Sequence, residues 1–313
     1  MATMTTSDVR LSALPPASGR AGLRGVLASE FTKIRSVRST YWTIAALVVV
    51  SVGIAALVGF GISHDIHNHP WDKAGQDGTQ SVLFAFFELG QLIIAVVGAM
   101  VITSEYSTGM IRTSLTAMPR RGTVYAGKLI ALTVVSFVIS LVTAFLAFFV
   151  GSATLGNSGV AGSLFHNVTI PVDVNMGPGK SGPGGPPHYT FVGSEVITPS
   201  HVLMAIIGSA LFVTVVALIA FGLGAIIRHT AGAITSAIGL MFVLPIIIQI
   251  LPSSWRFDIM RFFPDAATRV ISSTLPQQAD PHLWSTWPQF LVTVIWMLAF
   301  VGVGGYLFRR RDA

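Results

Sequence analysis

Four short groups in this 313-residue chain carry side chains suited to chemistry. His64, His67 and His69, with Asp65, make HDIHNH. On a helix His64 and His67 would share a face, and neutral imidazoles ligate transition metals. Pro70 and the lack of a structured partner loop favour a solvated histidine cluster instead, so no metal site is assigned. Gly179-Lys180-Ser181 suggests a phosphate-binding loop, but the full pattern needs a glycine five residues before Gly179, where Val174 stands. Gly156-Asn157-Ser158-Gly159 has the form of an intramembrane protease's serine turn. No apolar run contains a histidine base, and His201 and His229 lie only at run ends; serine without a base is a weak nucleophile. With no cysteine in the chain, disulfides, thiolate metal sites and cysteine nucleophiles are excluded. The fourth group is Glu88 with Gln91, at i and i+3 in an apolar run. An intramembrane carboxylate is costly, which makes the pair a candidate for a pathway or gate. Contact with interfacial water or a neighbouring helix is the plainer reading. No catalytic residue, and no cofactor bound by this chain, follows from any of these groups.

The elements around them are apolar. Hydrophobic residues make up 52% of the chain and charged ones 10%, against roughly 25% charged in soluble domains. Mean hydropathy is +0.71. A bilayer core takes about 20 apolar residues as a helix, and six runs meet that length: 42–62, 82–103, 129–151, 203–227, 231–251 and 290–308. The expected fold is an all-α, six-span membrane protein. Only Arg228, His229 and Thr230 divide the fourth and fifth runs, which demands a tight hairpin. Residues 1–19 read as a polar, disordered tail with no cleavable leader. The outer loop 152–202 ends in NMGPGKSGPGGPPH, whose glycines and prolines forbid regular structure. In 253–275, Trp255, Ile259, Phe262 and Phe263 recur at i, i+4, i+7 and i+8, the pattern of a short helix at the outer interface. Ala231, Thr235 and Gly239 recur every four residues in the fifth run, a spacing for close helix approach within the subunit or at a dimer seam. Pro245 beyond them permits a bend.

Charge placement orients the chain. Of 19 Lys and Arg residues, six precede position 42 and four lie in 104–128. With Arg228 and the basic tail (309–313) carrying Arg309, Arg310 and Arg311, this group forms one side. Lys73, Lys180, Arg256, Arg261 and Arg269 fall on the other. The positive-inside rule makes both termini and 104–128 cytoplasmic. The formal charge of +6 thus comes from topology, and no nucleic-acid partner is needed. Within 20–41, Leu23, Val26, Leu27, Phe31, Ile34, Val37 and Tyr41 share one arc, bordered by Arg24, Lys33, Arg35 and Arg38. This is an amphipathic helix for the inner leaflet of the bilayer. Glu30 falls inside the apolar arc, where it would pair with Lys33 or with another part of the protein. In SEYSTGMIRTSLTAMPRRG (104–122), Ile111, Leu115 and Met118 line one side of a helix, with Arg112 and Thr116 elsewhere, and Pro119 stops it. Arg120, Arg121 and Lys128 follow at the membrane re-entry, placed to meet anionic headgroups. Pattern alone leaves two readings, a positive-inside loop and a docking helix gripped by a cytosolic partner.

Three segments, SEFTKIRSVRSTYW, VITSEYSTGMIRTSLTAMPRRGTVYAGKL and LPSSWRFDIMRFFPDAA, resemble in order and topology the type-2 permease subunits of ATP-binding-cassette transporters, particularly the actinobacterial kind. That resemblance implies a multi-pass plasma-membrane subunit of a bacterial cell, leaning to export. It implies two permeases working with two separately encoded ATPase subunits, which bind the ATP and Mg. The first cytoplasmic loop would be the coupling helix, set by Glu105, Tyr106, Gly109, Arg112, Leu115, Pro119 and Arg121. A secondary carrier or a membrane scaffold for a signalling or stress complex is the rival reading. A carrier should show ionisable residues near the bilayer midplane, and only Glu88 lies clearly within a run, off-centre.

Overall fold

The structure, a computed structural model, describes residues 22–36, 38–69, 76–117, 120–175, 190–264, 267, 271, 273–275 and 284–311. The 1–19 tail, most of NMGPGKSGPGGPPH with Gly179-Lys180-Ser181, and Pro119 lie outside them. The helices are α1 (Leu23–Ser36), α2 (Arg38–Asn68), α3 (Gly78–Ser107), α4 (Met110–Ala117), α5 (Arg121–Leu155), α6 (Pro199–Ile227), α7 (Thr230–Ile238), α8 (Leu244–Ile250), α9 (Ser253–Met260) and α10 (Thr286–Arg310). Six of the helical stretches are long and apolar enough to cross a membrane, with α7 and α8 together forming the fifth. The expected all-α, six-span protein is what is found.

Most spans run past their apolar cores. α2 continues through His64–Asn68, and α3 begins at Gly78 because Asp77 caps it, accepting from the Gln80 N–H at 2.9 Å. α6 is apolar on every face, and it sits at the centre of the bundle, buried along most of its length. α3 lies against it so closely that a Cβ at Gly98 would stand 2.1 Å from the Ala217 carbonyl oxygen. Only a glycine allows that approach. On the other side of α6, the Tyr125 hydroxyl of α5 donates to the Val301 carbonyl of α10 at 2.8 Å.

The turn between α6 and α7 is as tight as the spacing demands. Arg228 adopts a left-handed conformation (φ 61°), its N–H returns to the Gly224 carbonyl, and the His229 ring accepts from the Gly232 N–H. The fifth span then breaks at a π-helical turn, Gly239–Val243, just before Pro245. Proline removes one backbone donor and clashes with the preceding turn, and a widened turn accommodates both. The small-residue stripe does not pack inside the subunit. Ala231 and Thr235 are exposed, and the face turned inward is Ala233, Ala237 and Met241.

Two expectations for the outer loops need correction. Within 152–202 the chain is not wholly irregular: β1 (Val168–Asn175) and β2 (Thr190–Ile197) pair antiparallel, from Val168 opposite Ile197 to Asn175 opposite Thr190. VTIPVDVN alternates with period two, TFVGSEVI does not, and burial of Ile170 and Ile197 anchors the pair. In 253–275 the helix ends at Met260, so Phe262 and Phe263 are not on its face. Phe263 is buried, its ring 6.0 Å from Trp296, while Phe262 packs edge-on to Trp284. Trp255 and Ile259 remain exposed, as an interfacial helix requires.

Candidate functional site: the charged node and its short helix

Lys33, Lys128, Arg121, Arg228 and Arg311 lie at one end of the bundle. There α1 lies against α5, and four charged side chains from three elements meet. Lys128 of α5 is 1% exposed and makes three hydrogen bonds. Two go to the Glu30 carboxylate of α1, each at 3.0 Å, and one to Oε1 of Glu105 on α3 at 2.5 Å. Lys33 reaches Glu30 Oε1 at 3.0 Å and Glu105 Oε1 at 2.8 Å. Two lysines and two carboxylates make the node electrically neutral, which is what allows charges to stay buried. Burial works against the Lys33 ammonium, but its hydrogen bonds to Glu105 and Glu30 outweigh that and hold its pKa above the ordinary lysine value.

This overturns the picture of α1 as a helix resting on lipid alone, and of Lys128 as a headgroup contact. Val26, Glu30 and part of Lys33 face the bundle, while Leu23 and Phe31 stay exposed. Arg35 is exposed as well; the Arg38 side chain lies outside the described set. Glu30 in the apolar arc was the one sequence signal of the node. Its partner Lys128 lies 98 residues away, beyond any local pattern.

The short helix α4 follows directly. α3 ends at Ser107, and the chain turns through Thr108 and Gly109, whose φ of +72° belongs to the left-handed region that glycine enters without strain. α4 then presents two unlike faces. Ile111 is buried and Leu115 packs beside it on a cluster with Val26, Ile102, Val124 and Tyr125. Met110, Arg112, Thr113 and Thr116 are exposed. Leu115 and Glu105, two of the expected coupling positions, therefore point into this protein rather than away from it. Tyr106 is half-buried with the Arg228 guanidinium 4.9 Å from its ring centroid. Arg121 donates to the Arg311 carbonyl at 2.7 Å, and Arg311 donates to the Ile226 carbonyl at 3.1 Å. The end of α3, the start of α5, the α6–α7 turn and the end of α10 are thus tied together at the basic end.

The other candidates do not join this site. Gln91 is 1% exposed, and neither its Oε1 nor its Nε2 has a hydrogen-bond partner among the described residues. Glu88 is half-buried one turn away. At the opposite end His64 lies 3.2 Å from Asn68, and His69 lies 3.4 Å from Asp65 in exposed pairs. Among the described residues no three His, Asp or Glu side chains group as metal ligands.

Six apolar spans, two of them joined to α1 by a buried charge node, define a multi-pass membrane protein. Residues 26–174 match the family model described as ABC-2 family transporter protein, a stretch running from α1 through β1 that contains the whole node and α4. That stretch, just under half of the chain, is thus similar to the membrane domain of ABC-2 type transporter permeases. In that family the membrane domain implies an ATP-binding-cassette ATPase as partner. No curated protein matches the chain.

Proposed function

We propose that this subunit is the permease half of an ATP-driven exporter in a bacterial plasma membrane, coupled to a separate ATP-hydrolysing subunit through α4. The observation that carries the reading is the two-faced α4, which is fastened to the bundle by Ile111 and Leu115 and turns Arg112, Thr113 and Thr116 outward. A helix built in this way can be gripped on one side and transmit force on the other. Closure of the ATPase pair around ATP and Mg would move α4. The Glu30–Lys33–Glu105–Lys128 node would make α1, α3 and α5 follow as one body, a rigid shift of the hinge-and-shear type. Two permeases and two ATPases would form the working assembly, with the pathway between the permeases. The basic end would face the cytoplasm, as the charge count favours, and the lean towards export rests on the family resemblance.

The test is co-purification with a candidate ATP-binding-cassette ATPase from the same cell, followed by ATPase assay. Arg112→Glu combined with Thr116→Glu alters only exposed positions and should abolish co-purification and permease-dependent stimulation while the permease stays monodisperse. Retained binding and stimulation would show that α4 is not the docking element.

A further inference from the structure

Beside the node lies a cavity of about 360 Å³ that the coupling reading does not use. It is a half-open cleft lined by α1, α2, α3, the start of α4 and α5 of a single subunit. Its volume falls within the roughly 300–1,000 Å³ of small-molecule sites. The walls are apolar, with Leu47, Ile94 and Ile139 among them, and Glu30, Lys33 and Glu105 close the end nearest the node. Glu105 is 5% exposed, and its two oxygens differ sharply. Oε1 accepts from both lysines, whereas Oε2 is buried with no hydrogen-bond partner among the described residues. A buried acceptor left unpaired is costly, and a carboxylate oxygen more so than a neutral one.

We propose that this cavity is a loading site for an amphiphile with an apolar body and a polar end that donates a hydrogen bond and bears no negative charge. The body replaces lipid or void against the aliphatic walls, and the donor pairs with the Glu105 carboxylate once a small rotation presents the unpaired Oε2 to the cleft. Charge balance sets the head group. The node's two lysines and two carboxylates already cancel, so an uncharged hydroxyl completes the site without adding unpaired charge. An anionic head would set an acceptor against acceptors and be rejected, because like-charge and acceptor–acceptor contacts discriminate strongly at a desolvated site. The meaning of this site as a cargo site rests on the transport role proposed above. Its occupancy does not, since it lies within one subunit.

The experiment is photolabelling of the full-length permease in lipid nanodiscs, without any ATPase, using a diazirine analogue of dodecanol and mapping the adducts by mass spectrometry. Labelling should be saturable on the wall segments of α2, α3 and α5. Dodecanol should compete at least roughly tenfold better than dodecanoate, the factor expected for one hydrogen bond to a charged group. Ile139→Trp should fill the cavity and remove the label; Val135→Phe serves as the second filling variant, and the one that elutes monodisperse is scored. Glu105→Gln should narrow the preference for dodecanol over dodecanoate, an effect that mere loosening of the bundle would not produce. Non-saturable labelling, equal competition by dodecanoate, or labelling that survives both filling variants would overturn the proposal. None of these outcomes bears on whether α4 docks an ATPase, and loss of docking in Arg112→Glu with Thr116→Glu would not alter the labelling.

Discussion

Removing the cation at the centre of the node is the sharpest perturbation available. In Lys128→Met the Glu30 and Glu105 carboxylates lose all three of the hydrogen bonds that Lys128 supplies. Only Lys33 remains, with 34% of its side chain exposed, and one ammonium cannot neutralise two carboxylates that are each nearly buried. Breaking a buried ion pair by deleting one partner costs about 3–5 kcal/mol, because the remaining charge stays desolvated. That is a large share of the roughly 5–15 kcal/mol that holds a typical domain together. The loss should appear as a lower midpoint when the permease is unfolded by dodecyl sulfate in mixed micelles. Proteolysis within α1 should become faster, since α1 is held by this contact. The triple variant Glu30→Gln, Glu105→Gln and Lys128→Met removes the stranded charges together and should recover much of the loss, a non-additivity expected of directly interacting groups. A Lys128→Met protein within about 0.5 kcal/mol of the parent, the range of ordinary surface changes, would refute the buried-node argument. So would a triple variant whose loss equals the sum of the single losses.

Three further outcomes follow from other contacts. Asp77 holds the outer end of α3 to the segment after α9, its carboxylate accepting from the Thr274 N–H at 2.7 Å and from the Thr274 hydroxyl at 2.9 Å; Asp77→Ala should cost about 1–3 kcal/mol and remove hydrogen-exchange protection at Thr274. Burial raises the Asp77 pKa above its ordinary 3.8 and outweighs the hydrogen bonds that lower it, so the folded state binds this proton more tightly than the unfolded chain does. This contribution to stability should therefore grow as pH falls from neutral towards 3.8 and be absent in Asp77→Asn, checked by unfolding midpoints across that window. Gly98→Ala should destabilise by about 1–3 kcal/mol through overpacking on Ala217, whereas Gly53→Ala, with no heavy atom within 4 Å of the added Cβ, should be tolerated, as size-exclusion and unfolding assays would show.

The spans and the hairpin at Arg228 were readable in the sequence because both depend on local pattern, a run of apolar residues and the short break between two of them. The exposed Arg112 and the buried Ile111 of α4 were readable for the same reason, since helical periodicity assigns faces without knowing the neighbours. The node was not. Lys128 at a membrane boundary looks like any positive-inside lysine, and only the packed structure reveals two carboxylates waiting for it. Leu115 was assigned to a partner that the bundle itself replaces. The β1–β2 pairing was overshadowed by the glycines and prolines between the strands, although the alternation in VTIPVDVN was present to be read. The stripe of Ala231, Thr235 and Gly239 had a real period, but a period does not say which face turns inward.

The π-helical turn at Gly239–Val243 holds one residue more than an α-helix would fit into the same length. A single residue of α-helix is a rotation of about 100° and a rise of about 1.5 Å. Upstream of that surplus, Ala233 and Ala237 point inward; downstream, Pro245 and Ile248 do, while Ile246, Ile247 and Ile250 are exposed. Deleting one residue from the turn would swing the distal half of the span by more than a quarter of a circle and drive those isoleucines towards the bundle. The bulge is therefore an azimuthal setting, fixing which flank of the last apolar turns looks away from the bundle.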